Sequence, residues 1–89
     1  MAAKEIKDWC NIIRISWIEC NPRGTVFRSK DIFSWAANGG VELEPADLKP
    51  VSASGREFWR DRLSKALRRL YVRGELEHPG ISSHAWRIP

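Results

Sequence analysis

The sequence predicts a small α+β domain that is mostly α-helical, with three helices, a short first strand and a C-terminal β-hairpin. Apolar residues recur at helical spacing in three separate segments. Two short runs of alternating polar and apolar residues surround a Pro-Gly turn near the C-terminus. A chain of 89 residues is enough for one domain with a modest core. We therefore treat residues 1–89 as a single domain.

The first predicted helix runs from Lys4 to Cys20, and Pro22 and Gly24 break the pattern after it. Its apolar face is formed by Ile6, Trp9, Cys10, Ile13, Trp17 and Cys20. The far side is not purely polar, because three isoleucines interrupt it: Ile12, Ile15 and Ile18. These isoleucines either flank a wide buried stripe or contact a partner subunit or attached domain.

The middle of the chain predicts a short edge strand at Thr25–Phe27 and a second helix from Lys30 to about Ala37, capped by Ser29. An Asn-Gly-Gly run ends this helix. The connection over residues 38–53 is acidic and contains two prolines, and we expect one helical turn around Pro45–Leu48. A loop of this length in a small domain is often functional.

A third helix is predicted over about residues 55–73, beginning at a capping box of Ser54 and Glu57. Its buried face is predicted to contain Trp59, Leu63, Ala66, Leu67 and Leu70. Trp59 is predicted to be either a core residue or an aromatic residue that stacks on a base. Phe58 lies off the buried face, so it is the better candidate for an exposed aromatic.

The third helix also concentrates the charge of the chain. Between Arg56 and Arg73 there are seven basic residues and two acidic ones, a net charge of +5, whereas the whole chain carries +4. A basic stripe opposite an apolar stripe favours a helix that faces nucleic acid. The alternative is a solvated helix that happens to be rich in arginine.

The C-terminal hairpin is predicted from two arms, Glu75–His78 and His84–Ile88, around Pro79 and Gly80. The alternation places Trp86 and Ile88 on one face, and we expect Trp86 to pack against the third helix at Leu67.

Several classes of function are excluded by the sequence. The first residues carry charge without an apolar leader, and no apolar run approaches the ~20 residues of a membrane span. Cys10 and Cys20 would lie about 15 Å apart in one helix, too far for a disulfide. The cysteine and histidine spacings match no zinc pattern, and no phosphate-binding loop is present. We expect an intracellular, cytoplasmic protein (nucleoid-associated if bacterial) that is not an enzyme and uses no metal or cofactor.

The order of elements and the run LSKALRRLYVRGELEHPGISSHAWRI resemble the winged helix-turn-helix superfamily over nearly the whole chain. The residues that carry the resemblance are Leu63, Leu67, Leu70, Gly74, Leu76, Trp86 and Ile88. The chain departs from the family at residues 38–53, where winged helices usually have a tight turn. Similar long connections occur in winged helices attached to bacterial restriction nucleases and nucleases that cleave methylated DNA.

The resemblance implies a domain that binds double-stranded DNA, such as a sequence- or modification-specific reader in restriction or in transcription regulation. It implies base contacts from the third helix, at Ser54, Arg56, Glu57, Arg60, Asp61 and Lys65. It implies phosphate contacts from Arg62 and Arg69, and from Ser29 and Lys30 at the second helix. A wing tip of Ser82, Ser83 and His84 would contact the backbone or minor groove. The alternatives are a winged helix that binds another protein, and RNA binding.

Overall fold

The three predicted apolar stripes form three helices in the computed structural model, which describes residues 3–51, 53, 55–80 and 84–89. Helix α1 spans Ile6–Ile13, α2 spans Ser29–Trp35 and α3 spans Phe58–Val72. Helix α1 continues as a π-helical turn over Arg14–Ile18, whereas α2 ends in a kinked turn over Ala36–Gly40, where Asn38 and Gly39 have non-helical backbone angles. The described part of the chain is therefore mostly helical, as predicted.

The core lies where α1 and α2 pack against α3. Helix α3 buries the face predicted from its spacing, which consists of Trp59, Leu63, Ala66, Leu67 and Leu70. The ring centroid of Trp59 lies 6.1 Å from that of Trp9 in α1 and 5.9 Å from that of Phe33 in α2. The reading of Trp59 as a core residue is confirmed, and its ring joins all three helices.

A two-stranded antiparallel sheet closes the core on one side. Strand β1 (Val26–Arg28) pairs with β2 (Ala85–Arg87), with Phe27 opposite Trp86. Both of these aromatic residues are buried, which confirms the alternation predicted for the last strand.

The predicted hairpin is only partly formed in the described residues. Its first arm contributes a single bridge, between Glu77 and Arg87, and the main partner of β2 is β1. The reason is local: the N–H groups of Glu75 and Leu76 donate back to the carbonyl of Leu70, at 2.9 and 3.3 Å. These two N–H groups hydrogen-bond with the C-terminal end of α3, so they are not available to pair with β2.

The start of α3 differs from the prediction. Glu57 is the N-cap residue, in extended backbone, so the helix begins at Phe58 and the predicted start near residue 55 is wrong. Gly55 has a left-handed φ of 79°, and Glu57 forms an antiparallel bridge with Pro50. Backbone pairing with the end of the connection thus sets the position of Glu57, and the predicted capping box involves Ser54. Ser54 lies outside the described residues.

The start of α2 is also shifted by one residue. Arg28 is the N-cap, and its backbone N–H donates to the carboxylate of Asp31 at 2.8 Å. Ser29 is therefore the first helical residue and not the cap. Its side chain is left free to interact with β2.

The long connection is ordered by a buried carboxylate. The predicted turn at Pro45–Leu48 is a 3-10 helix, and its Asp47 is fully buried. This carboxylate accepts the backbone N–H groups of Lys4 and Glu44, at 2.8 and 2.9 Å, and the Lys4 ammonium at 3.1 Å. Burial alone would raise the pKa of Asp47, but these donors outweigh it and hold the pKa below its usual value.

The two cysteines are free thiols in different environments. Cys10 is buried, with its Sγ 3.8 Å from the carbonyl oxygen of Ala66, whereas Cys20 is exposed. Burial raises the pKa of the Cys10 thiol, although nearby arginines oppose the shift. Among the described residues, no helix is long and apolar enough to cross a membrane.

The isoleucines on the far side of α1 divide into two groups. Ile12 and Ile18 pack against the core, so they flank a wide buried stripe. Ile15 is 62% exposed. A contact for a partner through this helix would therefore depend on Ile15 more than on its neighbours.

Candidate nucleic-acid interface

Helix α3 presents one of its exposed sides to α2 and β2. Arg60, Ser64 and Arg68 lie four residues apart and so follow one another along this side. Each lines one of two adjoining surface grooves that α3 forms with the neighbouring elements. We call these the α2–α3 groove and the α3–β2 groove.

The α2–α3 groove lies at the N-terminal end of α3 and encloses about 540 Å³. Helix α2 contributes Lys30, Phe33 and Ser34, the turn after it contributes Ala37 and Asn38, and α3 contributes Arg60. The Asn38 amide donates to the carbonyl of Ser34 at 2.7 Å, which fixes its orientation. Two cations from different helices therefore face one groove of mixed polar and apolar lining.

The α3–β2 groove lies further along α3 and encloses about 560 Å³. Its polar lining comes from three elements: Ser29 of α2, Ser64, Lys65 and Arg68 of α3, and His84 just before β2. A wall of aromatic and apolar residues completes it. The two grooves follow one another along α3. Lys30 of the α2–α3 groove comes directly after Ser29 of the α3–β2 groove in the chain, and Ser64 of the α3–β2 groove lies one turn after Arg60 of the α2–α3 groove.

Two hydrogen bonds between residues far apart in the chain fix the position of Ser29, which lines the α3–β2 groove. The Ser29 hydroxyl accepts the indole N–H of Trp86 at 2.9 Å. The backbone N–H of Ser29 donates to the carbonyl of His84, also at 2.9 Å. The N-terminus of α2 is thereby fixed to the end of the chain that precedes β2.

The acidic residues of α3 compensate some of its cations. The Glu57 carboxylate pairs with Arg60 at 3.2 Å, and that of Asp61 pairs with Lys65 at 3.2 Å. Arg68 and Lys30 are exposed and form no ion pair with any residue that the structure describes. The uncompensated positive charge of the two grooves is therefore centred on Arg68 and Lys30.

Five of the residues implied by the resemblance line the two grooves: Ser29, Lys30, Arg60, Lys65 and His84. Arg56 lies on the extended segment ahead of α3, where its guanidinium donates to the carbonyl of Arg60 at 3.4 Å. Ser54, Ser82 and Ser83 lie outside the described residues.

Arg62 and Arg69 lie on the other side of α3, towards α1. The guanidinium of Arg62 pairs with Asp61 at 2.7 Å and with Glu5 at 3.8 Å, and it stacks on the Phe58 ring at 4.4 Å. Arg69 lies close enough to Cys10 in α1 for its charge to oppose the effect of burial on the thiol pKa. Phe58 is only partly exposed and is covered by Arg62.

Sequence reasoning missed four polar groove residues, Ser34, Asn38, Ser64 and Arg68, and also the aromatic Tyr71. The signal for Ser64 and Arg68 was present, since they continue the four-residue spacing that starts at Arg60. Asn38 was predicted only as part of the Asn-Gly-Gly run that ends α2, and its place in the groove follows from the kinked turn after this helix.

The two histidines line the α3–β2 groove. The His78 ring packs between Tyr71 and Trp86, with both centroid distances 4.4 Å, and its Nδ1 donates to the carbonyl of Ala85 at 2.8 Å. Among the described residues, no group of three His, Cys, Asp or Glu side chains has a geometry that could hold a metal ion. His78 therefore has a packing role in the groove wall.

Comparisons of the chain with protein-family models, curated proteins and solved structures found no match.

Proposed function

We propose that this chain is a DNA-binding domain of the winged-helix type, and that the α2–α3 and α3–β2 grooves face duplex DNA. The element order α1, β1, α2, α3, β2 supports the fold proposal. With 15 residues, α3 is about 22 Å long, and the major groove of B-DNA admits a helix of this kind.

Arg68 carries the proposal. It is exposed, lines the α3–β2 groove and forms no ion pair with any residue that the structure describes. Lys30 is a second such cation, contributed by α2 to the adjoining groove. Unpaired cations from separate elements along one surface are the electrostatic footprint of phosphate binding.

A matched pair of charge reversals tests the proposal. Arg68→Glu and Arg69→Glu change neighbouring exposed residues of α3 by the same charge, but only Arg68 lines a groove. Binding of a labelled duplex would be measured by fluorescence anisotropy over a series of salt concentrations. We expect log K to fall linearly with log salt, and Arg68→Glu to weaken binding about tenfold or more.

Arg69→Glu is expected to weaken binding much less, since its effect would come only from net charge. Equal losses in the two variants would show that the grooves are not the DNA-facing surface. Single-stranded DNA and RNA of the same sequence are measured in parallel. Tighter binding of either, or no binding of any nucleic acid, would contradict the proposal and favour RNA or a protein as the partner.

A further inference from the structure

The α3–β2 groove has a wall that contact with a duplex backbone leaves unexplained. Tyr71 is 44% exposed there, and its ring lies 4.4 Å from His78, which in turn lies 4.4 Å from Trp86. Val72, 75% exposed, continues the apolar surface. Phosphate contacts require cations and hydrogen-bond donors, and they do not require exposed aromatic rings.

The same groove also has a cationic surface, which lies on α3 ahead of Tyr71 and Val72, with Arg68 one turn from them. Lys65 and Arg68 contribute to it, and no described Asp or Glu residue lines the groove. The ligand that matches the aromatic and the cationic surface together has a flat apolar part and an anionic part, which is the chemistry of a nucleotide.

The aromatic wall is held in place by the protein itself. His78 donates from Nδ1 to the carbonyl of Ala85 at 2.8 Å, and the Trp86 indole donates to Ser29 at 2.9 Å. Because these side chains are already ordered, binding of a ligand would cost little conformational entropy at this wall.

We propose that the α3–β2 groove binds one unpaired nucleotide at the end of a DNA duplex. Its base lies against the exposed ring of Tyr71, and its phosphate lies near Lys65 and Arg68. Stacking on an aromatic side chain is tolerant of base identity, because every base has a π face. This inference rests on the proposed function, and it specifies the form of DNA that the domain prefers.

The test compares three DNAs that share one duplex. The first is blunt, the second carries a one-nucleotide overhang with thymine, and the third carries an abasic overhang of the same charge. We expect the domain to bind the thymine overhang about tenfold more tightly than the abasic one, the factor typical of one stacked base. Tyr71→Ala should remove this difference, and Tyr71→Phe should keep it because the ring remains.

Val26→Ala is the matched control, since Val26 is also an exposed apolar residue but lies on β1 outside the groove. It should retain the preference. Equal affinity of the wild type for the thymine and abasic overhangs would overturn this inference, and so would a preference that survives in Tyr71→Ala. Binding of blunt duplex that depends on Arg68 would leave the proposed function standing in either case. Failure to bind all three DNAs would overturn both proposals.

Discussion

The indole N–H of Trp86 donates to the hydroxyl of Ser29 at 2.9 Å and so joins two residues that are 57 positions apart. Trp86 is the buried aromatic of β2, and Ser29 is the first residue of α2. This bond fixes the N-terminus of α2 beside β2, and the α3–β2 groove lies between them and α3.

We predict that Ser29→Ala destabilises the fold by about 1–3 kcal/mol, because it leaves the largely buried indole N–H of Trp86 without its acceptor. Urea denaturation at neutral pH would measure the loss. Ser34→Ala is the control on the same helix, since Ser34 is exposed. A loss in Ser29→Ala no larger than that in Ser34→Ala would show that the bond contributes nothing to stability.

A second prediction concerns the apolar floor of the same groove. Leu67 is buried in the same core cluster as Trp86, and both residues line this groove, so Leu67→Ala should lower the free energy of unfolding by about 2–5 kcal/mol. Ser64→Ala, one turn earlier and exposed, should change it by less than about 0.5 kcal/mol. Chemical denaturation of both variants gives the comparison. A cost below 1 kcal/mol for Leu67→Ala would contradict the packing described for this residue.

The third prediction is a pH dependence that comes from Asp47. Because the folded-state pKa of Asp47 lies below its usual value, the ionised carboxylate stabilises the fold above about pH 4. This contribution declines as the pH falls from there through the folded-state pKa. Asp47→Asn should cost about 1–3 kcal/mol at neutral pH and should lack this part of the acid-induced loss.

The control for Asp47 is Glu42→Gln, which removes a carboxylate from an exposed residue of the same connection. It should follow the wild-type stability curve, measured by urea denaturation from about pH 2.5 to about pH 7, which extends about 1.4 pH units below and about 3 pH units above the usual Asp pKa. An Asp47→Asn curve parallel to that of the wild type throughout this range would exclude the proposed contribution.

The fourth prediction concerns selectivity among DNA sequences and depends on the proposed function. The guanidinium of Arg60 is held by Glu57 at 3.2 Å and lies over the Trp59 ring at 4.5 Å, so it is oriented before any ligand binds. Arg60→Ala should cost about 1–3 kcal/mol on the preferred site and relax the preference at one base pair. Selection of binding sites from random duplexes at fixed salt is the measurement.

Lys30→Ala serves as the comparison, because Lys30 is exposed and forms no ion pair with any described residue. It should weaken all duplexes about equally and reduce the salt slope by about 1. If Lys30→Ala changed the selected motif while Arg60→Ala weakened every site alike, the two roles would be reversed.

The sequence predicted those features of the fold that depend on neighbouring residues. Apolar spacing located the three helices and the burial of Trp59, and the turn at Pro45–Leu48 was predicted from its proline. The start of α3 could not be predicted in this way. It depends on the bridge between Pro50 and Glu57, which forms only when the connection folds back on itself.

The candidate site likewise contains residues that the sequence predicted and residues whose position depends on tertiary packing. Ser29, Lys30 and Arg60 were predicted from their places at helix starts, and they line the grooves. The periodicity of α3 identifies its buried face but does not tell which flank meets α1 and which meets α2. For this reason Arg69 was selected from the sequence, whereas Arg68, which lines the groove, was not.

Cys10 is buried and Cys20 is exposed, so their rates of reaction with a thiol reagent can measure local opening of the fold. Cys20 is exposed and should react with a thiol reagent at once, whereas Cys10 lies between α1 and α3 and is shielded in the folded state. Its raised pKa further reduces the reactive thiolate. The labelling rate of Cys10 therefore measures how often α1 separates from α3, without any added probe. Slower labelling in the presence of DNA would report ligand-induced stabilisation at a position remote from both grooves.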